Sequence, residues 1–466
     1  MNPFLNPFFS VKILMHYLGD VNRAWKKTPE ELTRYQDKAL RHTLRYAYQV
    51  PLYHRKYRQA GIHPGDIRGM RDLAKLPLIS KEDLIKGFPD DIVPVGYKRD
   101  RAYLVGTSGS SGRPMHMYKD SEYIMIEALA GVRQLKAYGL HWKRTRVTNI
   151  GDFSIPNTTD QECLDKGLMD NLSPFFSLDN YQHLYTGEKV GFLLAEMSRF
   201  HPELVIGYIS VLVGIAALMR QGNGMAVRPG VIIGSGEVLD DYSRRYIQEG
   251  MNAPVFNLYA TTEGGSIAFE CLHHHLHVNS DFVHVEILDK EGDPVSGDDF
   301  GSVVITRLYP GGTPIIRYTG LQDIASWEDG QCECGMHTPL LGNLEGRKKD
   351  AVVFTNGRIF PPATLPMPLS LAMDRFKTLK IKRFQFIQRR IDTLEVLVEI
   401  DENERNRGVT VEKLLGEIQK NYQQLAGEEV RVTVKEVTGV HKPPGSLSPP
   451  LIISQVTGEK IEKILL

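Results

Sequence analysis

Between Val231 and Leu258 the chain runs from a short apolar stretch, Val231–Ile233, into Gly234-Ser235-Gly236-Glu237. A helix is predicted from Asp240, and a second apolar stretch, Val255–Leu258, follows it. Strand, glycine loop, helix and strand in that order specify an α/β layered fold, in which ligands collect at the loops beyond strand ends. The region from Arg101 to about Arg347 keeps this mixed pattern, and Phe282–Leu288 and Ser302–Thr306 alternate as antiparallel strands do. After Gly346 the pattern changes. Phe384–Ile387, Leu394–Val398 and Val430–Val434 alternate as strands, and a helix carries Leu414, Leu415, Ile418, Tyr422 and Leu425 on one face. At 466 residues the chain exceeds what one core organises. The expected architecture is a large N-terminal α/β domain, residues 1–346, and a small C-terminal α+β domain, residues 347–466.

Charge narrows the function classes. Lys+Arg and Asp+Glu each number 56, so no bulk positive field invites a nucleic acid. No run of 18 apolar residues is present, so no transmembrane helix is expected. The N-terminal stretch lacks a basic lead and a small-residue cleavage site, which argues against a signal peptide. Phe8, Phe9, Val11, Ile13, Leu14, Tyr17 and Leu18 form an apolar helical face, expected to dock on the protein's own body, with membrane contact as the rival reading. Four cysteines are too few for a disulfide scaffold, and a reducing cytoplasm is expected.

Helix starts are legible. Thr28-Pro29-Glu30-Glu31 combines a capping Thr, a Pro suited to the first turn and a Glu that closes a capping box. Ser80-Lys81-Glu82-Asp83 is a second start of the same kind.

Tyr103-Leu104-Val105 is predicted as a strand that runs into Gly106-Thr107-Ser108-Gly109-Ser110-Ser111-Gly112-Arg113-Pro114. Glycines let backbone N–H groups converge, and hydroxyls add donors, so such a loop can wrap a polyphosphate. No Gly-Lys-Ser/Thr follows, so it is not a P-loop of the kinase type. The same composition also describes a plain linker. Further on, Asn257-Leu258-Tyr259-Ala260-Thr261-Thr262-Glu263 offers an aromatic face, hydroxyls and a hard carboxylate ligand suited to magnesium. Cys332-Glu333-Cys334-Gly335 is a tight Cys-x-Cys turn, and Cys271-Leu272-His273-His274-His275-Leu276-His277 lies upstream. Three thiolates and one imidazole make a closed tetrahedral set suited to structural zinc.

Together these motifs resemble the phenylacetate–CoA ligase branch of the adenylate-forming enzymes, in the family's order along nearly the whole chain. The resemblance extends to Tyr53-His54-Arg55-Lys56-Tyr57, Ala60-Gly61 and Leu76-Pro77-Leu78 near the N-terminus. It implies an ATP-dependent acid:CoA ligase that first makes an acyl-adenylate with release of pyrophosphate. CoA then accepts the acyl group, and AMP leaves. The substrate would be a small carboxylic acid, an aryl acid of the phenylacetate kind by family habit. It implies that Thr107, Ser108, Gly109, Ser110, Ser111 and Gly112 hold phosphates, and that Ser235, Gly236 and Glu237 lie along the adenine. Asn257 and Tyr259 belong to the same adenine-binding motif, Thr262 touches the α-phosphate and Glu263 carries magnesium. Asp323 would hold the ribose hydroxyls and Arg347 the ribose or a phosphate. Lys349 would sit at the hinge between the domains, and Lys460, with Lys463 in reserve, would stabilise the charge of adenylation.

Several positions depart from the family pattern. Met115 stands where many relatives have a phosphate-binding Lys, and Ala260 replaces a Gly. Leu321 and Gln322 separate Asp323 from its usual Gly, and Glu459 splits the closing Gly-Lys. The resemblance also implies that Cys271, His277, Cys332 and Cys334 hold the zinc, with His273, His274 and His275 as competitors for the imidazole position. Two rivals keep their place. One is an AMP-forming ligase with another acceptor, for cofactor adenylation or a surface-polysaccharide pathway. The other is a degenerate, zinc-braced nucleotide-binding protein. A second copy of the chain stands among the candidate partners.

Overall fold

The computed structural model describes residues 2–106, 115–151, 164–223, 227–297, 299–347, 352–354, 359–360, 365–442 and 449–456. The chain divides into two compact units. One comprises Met1–Thr145, Asp152–Gln182 and Phe256–Asn343; the other comprises Arg146–Gly151, His183–Val255 and Leu344–Leu466.

In the first unit, the capping box at Thr28 forms as expected, with the Thr28 hydroxyl accepting from the Glu31 amide and the Glu31 carboxylate accepting from the Thr28 amide. It opens the helix Pro29–Ala47, whose Leu40, Leu44 and Ala47 are buried. Asp83 closes the second box around Ser80 and also meets Lys56 at 2.6 Å. A run of strands forms this unit's sheet in the order 283–288, 301–307, 323–328, 340–347, 276–278, 265–270 and 255–261. The 283–288 and 301–307 strands pair antiparallel, Val283 opposite Arg307 and Leu288 opposite Ser302.

A buried ion cluster ties the N-terminal helix Pro7–Asp20 to this unit. Both guanidinium nitrogens of Arg133 donate to Asp281, at 2.7 and 2.6 Å, and one also donates to Asn279 at 3.0 Å. The other reaches the Asp20 carbonyl at 2.5 Å. Arg23 adds a bond to Asp281 at 3.0 Å. Burial opposes the charge on Asp281, but Arg133 outweighs it and holds the carboxyl below the usual carboxylate range. Asp281→Asn should therefore leave Arg133 buried with half a partner and destabilise the protein by about 3 kcal/mol, read as a loss in urea midpoint at unchanged slope. The depressed carboxyl contributes stability above the ordinary Asp pKa, and that contribution fades as pH falls through the folded value. The variant should consequently lack part of the wild-type loss on acidification.

In the second unit, the strands Val147–Gly151, Leu204–Tyr208 and Val231–Ser235 run parallel, with Ile150 beside Gly207 and Gly207 beside Gly234. The helix predicted from Asp240 spans Asp241–Met251, and the Asp240 carboxylate caps it by accepting from the Ser243 amide. The C-terminal α+β module has the expected strands, at 381–388, 393–400 and 431–437, joined by Ile452–Ser454 in one four-stranded sheet. Its helix Val411–Ala426 buries Leu414, Ile418 and Tyr422, while Leu415 and Leu425 are only half-buried. Among the described residues no helix is long and apolar enough to cross a membrane.

Candidate active site

The site is built from the ends of strands in the first unit. Strands Val255–Thr261 and Gly265–Glu270 pair antiparallel, Thr261 opposite Gly265, so Thr262, Glu263 and Gly264 make the connection between them. Gly265 takes φ +66°, a conformation that an L side chain rarely adopts. The Thr261 hydroxyl accepts from the Gly264 amide at 2.9 Å and tightens the turn. Glu263, at its tip, is nonetheless buried, and Thr262 is half-buried.

Two contacts made by neighbouring segments define the site. The Tyr259 hydroxyl donates to Asp323 at 2.6 Å, and both residues are buried. The two extra residues before Asp323 are taken up in a turn where Gln322 adopts φ 61°. That turn opens the strand Asp323–Glu328 with its first carboxylate against Tyr259. Second, the buried Tyr318 hydroxyl donates to Glu263 at 3.2 Å and lies 3.6 Å from the Met115 sulfur. Burial first, then the charge of Glu263, push the Tyr318 phenol well above its ordinary pKa, so it keeps the proton it donates. A side chain at Gly320 would lie 2.2 Å from the Tyr318 ring, so that glycine lets the ring reach its place.

The segment 107–114, which contains Thr107–Gly112, lies outside the described residues, as do Lys349, Lys460 and Lys463. The flanking strands Ala102–Gly106 and His116–Asp120 pair antiparallel with Gly106 opposite His116, so the two ends of that segment are held side by side. Its exit, Met115, is buried at Tyr318. Arg347 closes the strand Leu340–Arg347.

Two motif residues have structural occupations. The backbone N–H of Asn257 donates to Glu270 at 2.6 Å, and the other oxygen of Glu270 meets His274 at 2.6 Å. In the second unit, the Glu237 carboxylate accepts from the Ser210 amide at 2.6 Å and the Ser210 hydroxyl at 3.0 Å, at the start of the helix Ile209–Arg220. Gly236 has φ +76°, and a Cβ there would sit 2.6 Å from the Tyr208 ring. The strand Val231–Ser235 thus ends in a turn that only glycine fits.

A second cluster lies in the first unit. The ligand-type atoms of Cys271, His277, Cys332 and Cys334 all lie within 4.8 Å of one another. Cys271 and Cys332 sulfurs are 3.5 Å apart, and Cys334 Sγ is 3.2 Å from His277 Nε2. The other ring nitrogen, Nδ1, faces the Thr338 hydroxyl at 3.2 Å, an outer contact that fixes the ring. Burial lowers the His277 pKa to about 4, so the imidazole is neutral and offers a lone pair at neutral pH. Burial likewise raises Cys271, and raises Cys334 to about 12. Amides of His273 and Cys334 point at the Cys271 and Cys332 sulfurs, at 3.4 Å each. Buried thiols that resist ionisation, beside a neutral imidazole, are a donor set that a divalent ion completes by supplying the missing positive charge. The competing histidines turn elsewhere: His274 to Glu270, His275 to Glu328 at 2.7 Å, and His273 toward Glu333.

Sequence reasoning missed Tyr318 and Glu270. Tyr318 lies just before the turn to Asp323 and Glu270 just before Cys271, and neither carries a signal of its own in the sequence.

No family model matches the chain. Over 399 residues it is 25% identical to the phenylacetate-coenzyme A ligase of Escherichia coli (strain K12), covering 80% of this chain and 84% of that protein. It is 24% identical over 352 residues to Protein CapK of Staphylococcus aureus, covering 74% of this chain and 73% of that protein. Among solved structures, 2-hydroxyisobutyryl-CoA ligase in its postadenylation state superposes with a TM-score of 0.77 at 18% identity. That match covers 95% of this chain and 94% of the other, and it carries the fold. The ordered motifs, a large α/β domain with a smaller α+β domain, and alignments along most of several curated relatives point the same way: the chain is similar to the phenylacetate–CoA ligase-like adenylate-forming enzymes.

Proposed function

We propose that the protein is an ATP-dependent ligase that activates a small carboxylic acid as its acyl-adenylate and passes the acyl group to CoA. The observation that carries this reading is the Tyr318 hydroxyl between Met115, the residue leaving the Thr107–Gly112 segment, and Glu263. Met115, which follows the segment assigned to the phosphates, thereby lies close to Glu263, the carboxylate assigned to magnesium. Tyr259 and Asp323 form a second bonded pair from the same strand and segment, suited to adenine and ribose.

In this reading backbone amides and hydroxyls of 107–112 bind the phosphates, and the Asp323 carboxylate accepts from the ribose hydroxyls while Tyr259 fixes its orientation. Ser235, Gly236, Glu237 and Asn257 belong to the adenine side, with Glu237 acting through the turn it braces. Magnesium, when bound, would supply positive charge to the phosphates, and Glu263 is the residue that would hold it, oriented by Tyr318. Thr262 is assigned to the α-phosphate and Arg347 to ribose or phosphate. Lys460 is assigned to the charge that develops as the carboxylate oxygen attacks phosphorus. The domain boundary at 346/347, with Lys349 as the hinge, belongs to the same proposal. So do an aryl acid as substrate, a cytoplasmic location and zinc at Cys271, His277, Cys332 and Cys334.

The decisive experiment is pyrophosphate release over a panel of carboxylic acids, with and without CoA. Release with at least one acid, followed by CoA-dependent formation of AMP, is the expected result. No release with any acid would sink the reading and leave a nucleotide-binding protein without catalysis. The chain is as similar to Protein CapK, whose name specifies no acceptor, as to the ligases, and a second reading keeps the acyl-adenylate and changes the acceptor. Pyrophosphate release without any CoA-dependent AMP would favour it.

Tyr318→Phe removes the donor to Glu263 and little else. Outer-shell partners of this kind are worth about tenfold in metal affinity. The variant should need about tenfold more magnesium for half-maximal pyrophosphate exchange, with its thermal midpoint nearly unchanged. Equal magnesium dependence would reduce Tyr318 to a packing role.

A further inference from the structure

The N-terminal helix Pro7–Asp20 docks on the first unit with one face and leaves the other bare. Ile13 and Asp20 are buried, and Phe9, His16 and Tyr17 are half-buried. Asp20 anchors the helix end: its carboxylate meets His16, Arg23 and the Tyr309 hydroxyl, and its carbonyl meets Arg133. The outward direction of the helix is therefore fixed by buried polar contacts. Outward point Leu5, Phe8, Val11, Leu14, Met15 and Leu18, with Phe8 at 87% exposure, Met15 at 69% and Leu18 at 63%. The helix docks on its own body as expected, and its other face leaves a continuous apolar band in solvent. Bands of this kind mark an interaction surface.

Charge around the band selects the partner. In residues 1–27 the cations are Lys12, Arg23, Lys26 and Lys27, and the single acid of that stretch, Asp20, is buried and paired; Lys12 meets the half-exposed Glu122 at 2.6 Å and Lys27 meets Glu31 at 3.1 Å, surface pairs worth too little to keep a Lys from a headgroup. Next to the helix, half-buried Tyr17 packs edge-on against Trp142, and exposed Lys143 lies over the Trp142 and Phe176 rings. Phe175, half exposed, extends the apolar surface through Phe4. Aliphatic and Phe side chains at the centre, Trp and Tyr beside them and cations around them is the arrangement that suits a lipid headgroup boundary. The helix has 14 residues, a length of about 21 Å, too short for a hydrocarbon core of about 30 Å, so it would lie in the plane of the surface. A second copy pairing through this single helix face would cover far less than the roughly 800 Å² per partner that stable interfaces bury, and would bring like charges together.

We infer that the helix Pro7–Asp20 seats the protein on an anionic lipid surface, with Phe8, Met15 and Leu18 in the acyl boundary and Lys12, Lys26 and Lys143 at the headgroups. This inference is independent of the catalytic reading. The test is sedimentation of the full chain with phosphatidylcholine vesicles, with and without phosphatidylglycerol. Binding should require phosphatidylglycerol, weaken with salt, and fall by about tenfold or more in the triple variant Phe8→Ser, Met15→Ser, Leu18→Ser. All three positions are exposed, so the thermal midpoint should stay at the wild-type value and show that the variant folds. Wild-type protein that ignores anionic vesicles would overturn the inference, as would equal binding by a folded triple variant. A concentration-dependent dimer by light scattering, abolished by the same triple variant and accompanied by no vesicle binding, would assign the face to a second copy instead.

Discussion

Glu263→Gln should lower the rate of acid-dependent ATP–pyrophosphate exchange by about a hundredfold or more while leaving the fold intact. The substitution keeps the shape and an oxygen that accepts from Tyr318, so the turn between Thr261 and Gly265 has no reason to move. It removes one negative charge from a buried position. A neutral amide holds magnesium far less well than a carboxylate, and the ion's charge on the transferring phosphorus group is worth several kcal/mol in such reactions. Excess magnesium should recover part of the loss, because the defect lies in affinity. Exchange at the wild-type rate in a variant with a wild-type melting curve would remove Glu263 from the site, and with it the role given to Tyr318.

The second large effect concerns stability. The Cys271–His277 segment and the Cys332–Cys334 turn are distant in sequence and meet at the four-residue cluster and the packing around it. An ion bound there by three thiolates and an imidazole would hold both segments, and its binding free energy would become folding free energy because the unfolded chain has no such site. Cys332→Ser, or prolonged chelation of the wild type, should cost more than about 5 kcal/mol and lower the melting midpoint by 10 °C or more. Elemental analysis should find close to one zinc per chain. His275→Ala should change neither zinc content nor melting, since His275 faces Glu328. A wild-type protein that carries no metal and melts identically after chelation would remove the zinc assignment altogether.

How much could be read without a structure varied with the range of the physics. Helix starts at Thr28, Ser80 and Asp240 rest on contacts three residues apart, and each is where the pattern put it. The strands around Val231, Val255 and Leu394 rest on alternation or on short apolar runs, and these too formed. The identity of the imidazole in the cysteine cluster was open because four histidines fall within five residues. The tight turn from Cys271 to His275 decides it, with the Cys271 amide bonded to the His275 carbonyl and His274 at φ 63°. No composition rule reveals that turn. Tyr318 escaped for a different reason: its partner Glu263 is 55 residues away, and a Tyr in an apolar run is ordinarily core. The spacing around Asp323 looked irregular in sequence, yet the residue still reaches Tyr259. A left-handed turn at Gln322 absorbs the difference.

The tie between Arg133, Asp281 and the end of the first helix has a consequence for biosynthesis. Asp20 cannot find its place until Asp281 has emerged from the ribosome, 261 residues later by their numbering. At translation speeds of about 5–20 residues per second that delay lasts roughly 13–50 seconds. Throughout it, the oily helix Pro7–Asp20 has no finished body to rest on. Such a chain invites a chaperone's grip, or an early landing on a bilayer, before its enzyme exists.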